Sequence, residues 1–291
     1  MKLFEDEIKA SDGIGFIDLG SSGGIAGRWE PIENLISLIG FDPDSDECSR
    51  LSSLPSNLHS SIYLPYAISG NKEEATFYIT SSPSCSSLIK PRKEWLDRFS
   101  FKDLFEIVDE KRIETKRLAE IKELEEKRID VIKSDTQGME LPILVSAGRI
   151  LDEAFEVETE TGFTENYHGE TTFSMIDEFM RKKNFLLFDM RVHRVQRDNL
   201  FSESKETRGQ ILWCEAVWLK DYVAMNSEER NRCKLDRAKA IRALTISGIQ
   251  KAIDFGFELA KLFFEMRLLN KREFEELKKE ETWKINSKHR W

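Results

Sequence analysis

The sequence predicts an α/β fold, with a mostly parallel sheet covered by helices on both faces, followed by a helical C-terminal extension. Short apolar runs alternate with segments whose apolar residues recur at helical spacing, as in doubly wound sheets. From Asn226 onward only the helical spacing remains. Apolar residues make up 40% of the chain and charged residues 33%, the composition of a globular protein.

The apolar runs and the segments between them define the predicted elements. Eight runs are predicted as strands: residues 14–19, 35–41, 62–68, 75–80, 129–134, 154–157, 185–188 and 211–219. Residues 141–151 and 173–184 are predicted as helices. The charged segment 109–129 predicts an exposed helix in its second half, with Leu118, Ile121 and Leu124 facing inward.

The C-terminal extension begins at a capping pattern. Asn226 precedes Glu229 by three residues, and two or three helices are predicted over residues 226–291. We therefore divide the chain into a domain of residues 1–225 and an extension of residues 226–291. The favoured interpretation of the extension is a cap packed on the sheet, and the alternative is a partner helix that makes a homo-oligomer.

Charge and cysteine content limit the classes of function. The net charge of -9 disfavours nucleic acid as a partner, because an acidic surface repels phosphate backbones. The four cysteines are far apart and form no CxxC pair, so neither a disulfide framework nor a metal site is predicted. The N-terminus lacks an apolar signal and no run is long enough to span a membrane, so we expect a cytoplasmic protein.

The stretch GIGFIDLGSSGGIAGRW, residues 13–29, predicts a ligand site at the end of the first strand. Glycines there let the backbone turn tightly and approach a nucleoside-like ligand. The turn itself reads DLGSSGG, with Asp18 ahead of its first glycine, and so differs from the GxGxxG of dinucleotide binders. An acid at that position repels pyrophosphate but attracts an ammonium, which favours S-adenosylmethionine. Asp42, after the second run, is the expected acceptor for ribose hydroxyls.

Five segments together resemble a known family. In order they are FIDLGSSGG, IGFDPD, YAISGNKEEATFYITSSPSCSSLIKP, IDVIKSDTQGMELPIL and TGFTENYHGETTFSMIDEFMRKKNFLLFDM. They resemble the FkbM family of S-adenosylmethionine-dependent methyltransferases, from about residue 13 to residue 220. The resemblance implies a class I methyltransferase fold, a Rossmann-like doubly wound sheet of seven strands with the last antiparallel. It also implies methyl transfer to a hydroxyl of a sugar, a polysaccharide precursor or a secondary metabolite.

The resemblance also assigns site residues. The cofactor-binding residues that it implies are Asp18, Gly20, Ser21, Gly24, Asp42 and Ser69. Asp135, Gly138 and Glu140 match the family signature in KSDTQGMEL. The chain departs from the family at Ala119, where an acid is usual, and in a short first helical region that contains Pro31.

A base is needed because a sugar hydroxyl is nearly un-ionised at neutral pH. Asp135 is the favoured candidate for this base, and its alternative role is to cap the helix that follows. His168 is the second candidate, and Glu140 and Glu160 are further candidates. Ser86, Ser87, Glu160 and Tyr167 are expected to contact the small-molecule or carbohydrate acceptor.

Two other classes of function stay open. One is a noncatalytic cofactor-binding or assembly protein that keeps the fold, which Ala119 and the short first helix favour. The other is a nicotinamide oxidoreductase, which the absent GxGxxG disfavours.

Overall fold

The computed structural model describes residues 2–198 and 206–284. The strands are β1 Ile14–Leu19, β2 Ile36–Phe41, β3 Ser60–Leu64, β4 Ala67–Ser69, β5 Glu74–Thr80, β6 Ile107–Arg117, β7 Val131–Ser134, β8 Glu156–Gly162, β9 Phe185–Val195 and β10 Gln210–Lys220. The helices are α1 Glu5–Ala10, α2 Ser45–Ser53, α3 Lys93–Leu96, α4 Glu140–Ser146, α5 Arg149–Glu153, α6 Phe173–Lys182, α7 Ser227–Arg232, α8 Arg237–Ile249, α9 Ile253–Glu265, α10 Lys271–Leu277 and α11 Glu280–Trp283.

Seven strands form the main sheet, in the order β3-β2-β1-β7-β8-β10-β9. The pairs from β3 to β8 are parallel, whereas β10 is antiparallel to both β8 and β9. This order, with only the last strand of the chain reversed, is that of the class I methyltransferase sheet, so the predicted fold is confirmed. The chain order reverses between β1 and β7, which is where open parallel sheets bind ligands.

The second half of segment 109–129, predicted as an exposed helix, instead forms two tight turns, and the first half is a strand. β6 pairs with β4 in parallel and with β5 antiparallel, which makes a second sheet of three strands. The backbone partners on both sides outweigh the helical propensity of a Lys- and Glu-rich sequence. Two 3-10 turns, Leu118–Glu120 and Lys122–Leu124, follow the strand. Leu118, Ile121 and Leu124 are buried, as predicted.

Other predicted boundaries also differ. The run at residues 62–68 is two strands, because Pro65 cannot donate a backbone hydrogen bond to a continuous ladder. The described part of the extension, residues 226–284, contains five helices rather than two or three, since capping residues at Asn226, Asp236 and Asn270 each begin a new one.

Helix α8 forms part of the core beneath the main sheet. The connection between β1 and β2 contains only a 3-10 segment, Gly27–Leu35, so little of that face is covered locally. Apolar residues of α8 pack there against Phe16, Trp29 and Val217. This packing agrees with the interpretation of the extension as a cap, while the division into two domains stays a prediction.

The opposite face of the main sheet is covered by α4, α5 and α6, whose apolar residues pack on Ile17, Ile132 and Val157. The four cysteines are all buried and free. In the described parts of the chain, no helix has the length and apolar character needed to cross a membrane.

Candidate functional site

The glycine turn lies at the carboxyl end of β1 and is held by β2. The backbone N–H groups of Gly20 and Ser21 both donate to the carbonyl of Phe41, at 2.9 and 3.2 Å. Gly20 has a φ of +77°, and a Cβ there would lie 2.1 Å from the carbonyl oxygen of Asp135. Gly23 and Gly24 also have positive φ, and a Cβ at either would meet no atom within 4 Å. The turn therefore needs glycine for its close approach at one end and borders open space at the other.

Asp18 is fully buried beside this turn. Its Oδ1 accepts a hydrogen bond from Lys133 Nζ at 2.8 Å, whereas its Oδ2 has no hydrogen-bond partner in the part of the chain that the structure describes. Burial raises the pKa of the Asp18 carboxyl, and the charge and hydrogen bond of Lys133 oppose that shift. A buried carboxylate oxygen without a donor costs free energy, so it is a ready acceptor for a ligand that brings one.

Asp42 follows β2 and is partly buried. Its Oδ1 accepts the backbone N–H of Asp44 at 2.8 Å. Burial raises the pKa of Asp42, and the neighbouring charge of Asp18 is one of the acidic charges that raise it further. The two predicted cofactor acids therefore lie close enough to interact electrostatically.

The predicted serines of the cofactor site are both buried. Ser21 has an Oγ without a hydrogen-bond partner among the described residues. Ser69 ends β4, and its carbonyl accepts a hydrogen bond from Ser146 Oγ at 3.4 Å.

A carboxylate pair stands at the neighbouring strand ends. Asp135 follows β7 and Glu160 lies in β8, and both accept hydrogen bonds from Gln137 Nε2, at 2.7 and 3.2 Å. Burial raises the pKa of both carboxyls, and the nearby charge of Asp135 raises that of Glu160 further. Two acids that share one donor disfavour each other's ionisation.

Glu140 is buried and serves its own turn. It accepts hydrogen bonds from the backbone N–H and hydroxyl of Thr136, both at 2.9 Å, and from the backbone N–H of Gly138 at 3.0 Å. Burial raises its pKa to about 7. These bonds shape the turn between β7 and α4, and a catalytic role for Glu140 stays a prediction.

The predicted acceptor-binding residues divide between the carboxylate pair and its support. Glu160 belongs to the pair. Tyr167 is buried, and its hydroxyl lies 2.8 Å from Gln137 Oε1 and 2.9 Å from the carbonyl of Cys85. Ser87 Oγ donates to the Gln137 carbonyl at 2.7 Å, and Ser86 Oγ accepts the Thr80 N–H at 3.1 Å. Their hydroxyls bind other parts of the protein, so contact with an acceptor stays a prediction.

His168 lies at the surface, apart from the carboxylate pair. Its side chain is 55% exposed, and its Nε2 is 3.9 Å from Glu94. Its backbone N–H donates to the carbonyl of Lys90, which fixes the loop rather than the ring. Ala119, where the chain departs from the family pattern, is also exposed. It lies beside Gly148, which follows the C-terminal end of α4, and the carboxylate pair is near the other end of that helix.

Three residues near the site were not singled out as functional from the sequence. Gln137 bridges the pair, Lys133 contacts Asp18, and Arg28 forms a buried ion pair with Glu158. Gln137 and Lys133 lie within KSDTQGMEL, and Arg28 follows the glycine turn, but their partners are on other strands. Only the register, which sets Asp18 beside Lys133 and Lys133 beside Glu158, brings them together.

The electrostatic balance of this end of the sheet favours a cationic ligand. Lys133 and Arg28 are each engaged by a carboxylate. Among the described residues, one oxygen of Asp18 has no hydrogen-bond partner, and no cation lies at hydrogen-bond distance from the Asp135 and Glu160 pair. Together with the open glycine turn, these groups fit a nucleoside that carries an ammonium. Across the described residues, no cluster of three or more His, Cys, Asp or Glu side chains could hold a metal ion.

Comparison with known proteins gives one family match. The sequence profile described as the methyltransferase FkbM domain matches residues 30–187. The match begins after the glycine turn and ends within β9, so neither the turn nor the C-terminal helices lie inside it. No curated protein matches the chain significantly.

Several solved structures resemble the chain at low sequence identity. A TehB-like SAM-dependent methyltransferase from Corynebacterium glutamicum is 12% identical, with 75% of this chain and 87% of that one covered and a TM-score of 0.35. A SAM-dependent methyltransferase from Methanosarcina mazei is 11% identical, with 72% and 93% covered and a TM-score of 0.37. The magnesium protoporphyrin IX methyltransferase from Synechocystis PCC 6803, solved with bound SAM, is 7% identical, with 75% and 78% covered and a TM-score of 0.33.

Proposed function

This chain belongs to the FkbM family of methyltransferases, whose cofactor is S-adenosylmethionine, and we propose that it methylates a hydroxyl of a sugar, a polysaccharide precursor or a secondary metabolite. One observation carries the proposal. The Asp135 and Glu160 pair stands at the strand ends beside the glycine turn and Asp18, where a base for a hydroxyl would be needed.

Residues of this chain fit the cofactor. The unpartnered Oδ2 of Asp18 suits its ammonium, and Asp42 suits the ribose hydroxyls. The backbone at Gly23 and Gly24 suits the approach of the nucleoside, because an added Cβ at either position would meet no described atom within 4 Å. When bound, S-adenosylmethionine supplies a methyl group on a sulfonium, whose sulfur keeps the bonding electron pair when the methyl leaves.

Asp135 is the residue that we assign as general base. The acceptor oxygen forms its bond to the methyl carbon while its proton moves to the carboxylate, which later releases the proton to water. A base held within hydrogen-bond reach typically contributes about 10²- to 10⁴-fold to such a step. Correct orientation of the acceptor oxygen contributes further, because the displacement is in line.

The acceptor, the cellular location and the assembly belong to the proposal too. The resemblance supports a carbohydrate or related small molecule as acceptor. Four free buried thiols agree with a cytoplasmic location. A homo-oligomer through the C-terminal helices stays part of the proposal, with exposed side chains such as Phe257 on α9 as its candidate contact.

A noncatalytic cofactor-binding protein is the second candidate. It is favoured by the connection from β1 to β2, which is a 3-10 segment containing Pro31 rather than a full helix. In that segment, Arg28 forms an ion pair with Glu158, and this pair changes which side chains lie beside Asp18. The two candidates agree on cofactor binding and differ on turnover.

Two measurements test the proposal in sequence. Calorimetry with S-adenosylhomocysteine should give saturable binding with one site per chain, and absence of binding would remove both candidates. Transfer of labelled methyl from S-adenosylmethionine to a panel of hydroxylated glycans and their deoxy analogues should then label only the hydroxylated members. Binding without any transfer to the panel would favour the noncatalytic candidate.

A further inference from the structure

Gln137 occupies a backbone conformation that non-glycine residues rarely adopt. Its φ is +56°, and Gly138 after it has a φ of +106°. Such a conformation persists only where surrounding contacts hold it. Here the carbonyl of Gln137 accepts Ser87 Oγ at 2.7 Å, and Glu140 binds the backbone on both sides of Gln137. The turn is therefore built to present this one side chain.

The amide of Gln137 is used at both ends. Its Nε2 lies 2.7 Å from Asp135 Oδ1 and 3.2 Å from Glu160 Oε1, so each N–H has its own carboxylate. Its Oε1 lies 2.8 Å from the Tyr167 hydroxyl, whose single proton is shared between this oxygen and the Cys85 carbonyl at 2.9 Å. Because two carboxylate oxygens lie at one end of the amide, its NH₂ group faces them and its oxygen faces the Tyr167 hydroxyl.

Tyr167 is itself fixed in place. Its ring contacts Phe105 at a centroid distance of 5.8 Å, and its residue pairs with Pro91 in an isolated bridge. Glu170 accepts the backbone N–H of Tyr167 at 3.0 Å. The hydroxyl that meets the oxygen end of the Gln137 amide is thus held by a loop that is far away in the sequence.

We propose that Gln137 is a positioning residue whose amide holds the Asp135 and Glu160 carboxylates together as a pair that shares one proton, with the Tyr167 hydroxyl supporting the other end of the amide. This inference rests on the proposed function, in which Asp135 is the base. One carboxylate of the pair is charged and can accept the acceptor's proton, while the other retains its own. The amide favours the charged form of both acids, because it donates a hydrogen bond to each.

The charged and titratable groups that act on the pair come from several elements. They are Lys133 on β7, Glu158 on β8, Glu215 on β10, Glu140 at the start of α4, Cys85 and Tyr167. Lys133 is the cation that favours ionisation, and the neighbouring acids oppose it. A cation bound at this end of the sheet should therefore release the shared proton, since it adds to the effect of Lys133.

The test compares binding of S-adenosylmethionine and S-adenosylhomocysteine by calorimetry from pH 6 to pH 9. The first ligand carries one more positive charge at sulfur, so the ratio of the two affinities should rise with pH, by up to about tenfold per pH unit, and level off once the pair has lost its proton. Gln137→Met keeps a side chain of similar length but removes the N–H donor. In this variant, the inflection (the pH at which the affinity ratio levels off) should rise by about one unit. Tyr167→Phe should move it in the same direction by less.

The matched control is Gln250→Met. Gln250 Nε2 also donates to a carboxylate of β8, that of Glu156, at 2.6 Å, and the inflection should not move when it is replaced. A uniform loss of affinity in Gln137→Met with the inflection unmoved would overturn the proposal in favour of a purely structural role. An inflection that moves with Gln250→Met would assign the titration to Glu156 and overturn it as well. If the wild-type protein binds neither ligand, the proposed function fails instead.

Discussion

At the scale of single residues, the two acids of the proposed cofactor site differ in their burial and in the hydrogen-bond donors that the protein gives them. Asp18 is buried and already shares one oxygen with Lys133. Asp42 is partly buried and accepts one backbone N–H. Substitution of Asp18 would leave Lys133 without its ion-pair partner, so its effect on binding cannot be separated from its effect on folding. Asp42 is the cleaner probe.

We expect Asp42→Ala to weaken binding of S-adenosylhomocysteine by roughly 10- to 100-fold, because hydrogen bonds from ribose hydroxyls to a charged acceptor are worth about 1.5–3 kcal/mol. Calorimetry measures the change. Asp44→Ala is the control, since Asp44 caps α2 and its loss should cost about 1 kcal/mol of stability but little affinity. Equal affinity losses in both variants would show that Asp42 acts only through the local structure.

Asp135→Asn should lower turnover by about 10²- to 10⁴-fold while cofactor affinity changes only a few-fold, because the amide keeps the shape but cannot take a proton. Initial rates with a hydroxylated acceptor, together with calorimetry, measure the two effects. His168→Ala is the comparison, as His168 is exposed and 3.9 Å from Glu94. Loss of turnover in His168→Ala with retention in Asp135→Asn would reassign the base to His168.

Residues at strand ends can be predicted from the sequence more readily than the residues that form hydrogen bonds or ion pairs between strands. Asp18, Asp42 and Asp135 each follow or end an apolar run, so their place at the carboxyl edge was predictable. Gln137 and Arg28 gain their roles from partners on β8, more than 20 residues away in the sequence. Such pairings depend on strand register, which no local pattern encodes.

At the scale of elements, the glycine turn offers a matched pair of substitutions. Gly20 and Gly24 both have positive φ, so alanine at either should cost about 1–2 kcal/mol in backbone strain. Only at Gly20 would the new Cβ meet backbone, at 2.1 Å from the Asp135 carbonyl. We therefore expect Gly20→Ala to cost at least about 2 kcal/mol more than Gly24→Ala in free energy of unfolding, measured in urea. Equal costs would mean that the turn does not approach β7 this closely.

Helix α8 is the element whose place the sequence predicted least. The spacing of its apolar residues predicts a helix. The sheet face that it covers is left free for it because the β1 to β2 connection is short. β6 was missed for a related reason, since its partners β4 and β5 are separated from it in the sequence. In both cases tertiary contacts decide the structure, whereas β1, β7 and α6 follow from their own apolar pattern.

A buried ion pair links α8 to the main sheet. Arg242 Nε lies 2.9 Å from Asp130, and both side chains are 1% exposed. Arg242→Met should lower the free energy of unfolding by about 3–5 kcal/mol, because it leaves the Asp130 carboxylate buried without its cation. Arg237→Met on the same helix should cost only about 1 kcal/mol or less, since its pairs with Glu7 and Glu273 are partly exposed. Urea denaturation separates the two, and similar costs would place α8 outside the cooperative core.

At the scale of the whole molecule, the chain carries a net charge of -9 and buries several of its acids. Burial raises the pKa of Glu156 to about 8 and that of Glu140 and Glu170 to about 7. Glu156 has one oxygen without any partner, which agrees with a protonated side chain. The folded protein therefore retains protons at neutral pH that the unfolded chain releases near pH 4.5.

This difference predicts that stability falls as pH rises from about 5 to 7.5. Between the unfolded and folded pKa values of a raised acid, the folded state binds more protons, so each group lowers the free energy of unfolding by up to about 1.4 kcal/mol per pH unit. Lys220, whose pKa burial lowers to about 8, acts with the opposite sign but only above that pH. Urea denaturation at several pH values in this range measures the slope.

Two substitutions of glutamate by glutamine distinguish this pH dependence of stability from general charge repulsion. Glu156→Gln should flatten the slope by about one proton, because the variant has nothing to release at that position. Glu153→Gln is the control, since the ion pairs of Glu153 with Lys234 and Arg149 lower its pKa below 4.5 and its titration lies outside the window. It should lower stability without changing the slope. If Glu156→Gln leaves the slope unchanged, Glu156 is charged in the folded protein and the fall in stability comes from the remaining acids or from the net charge.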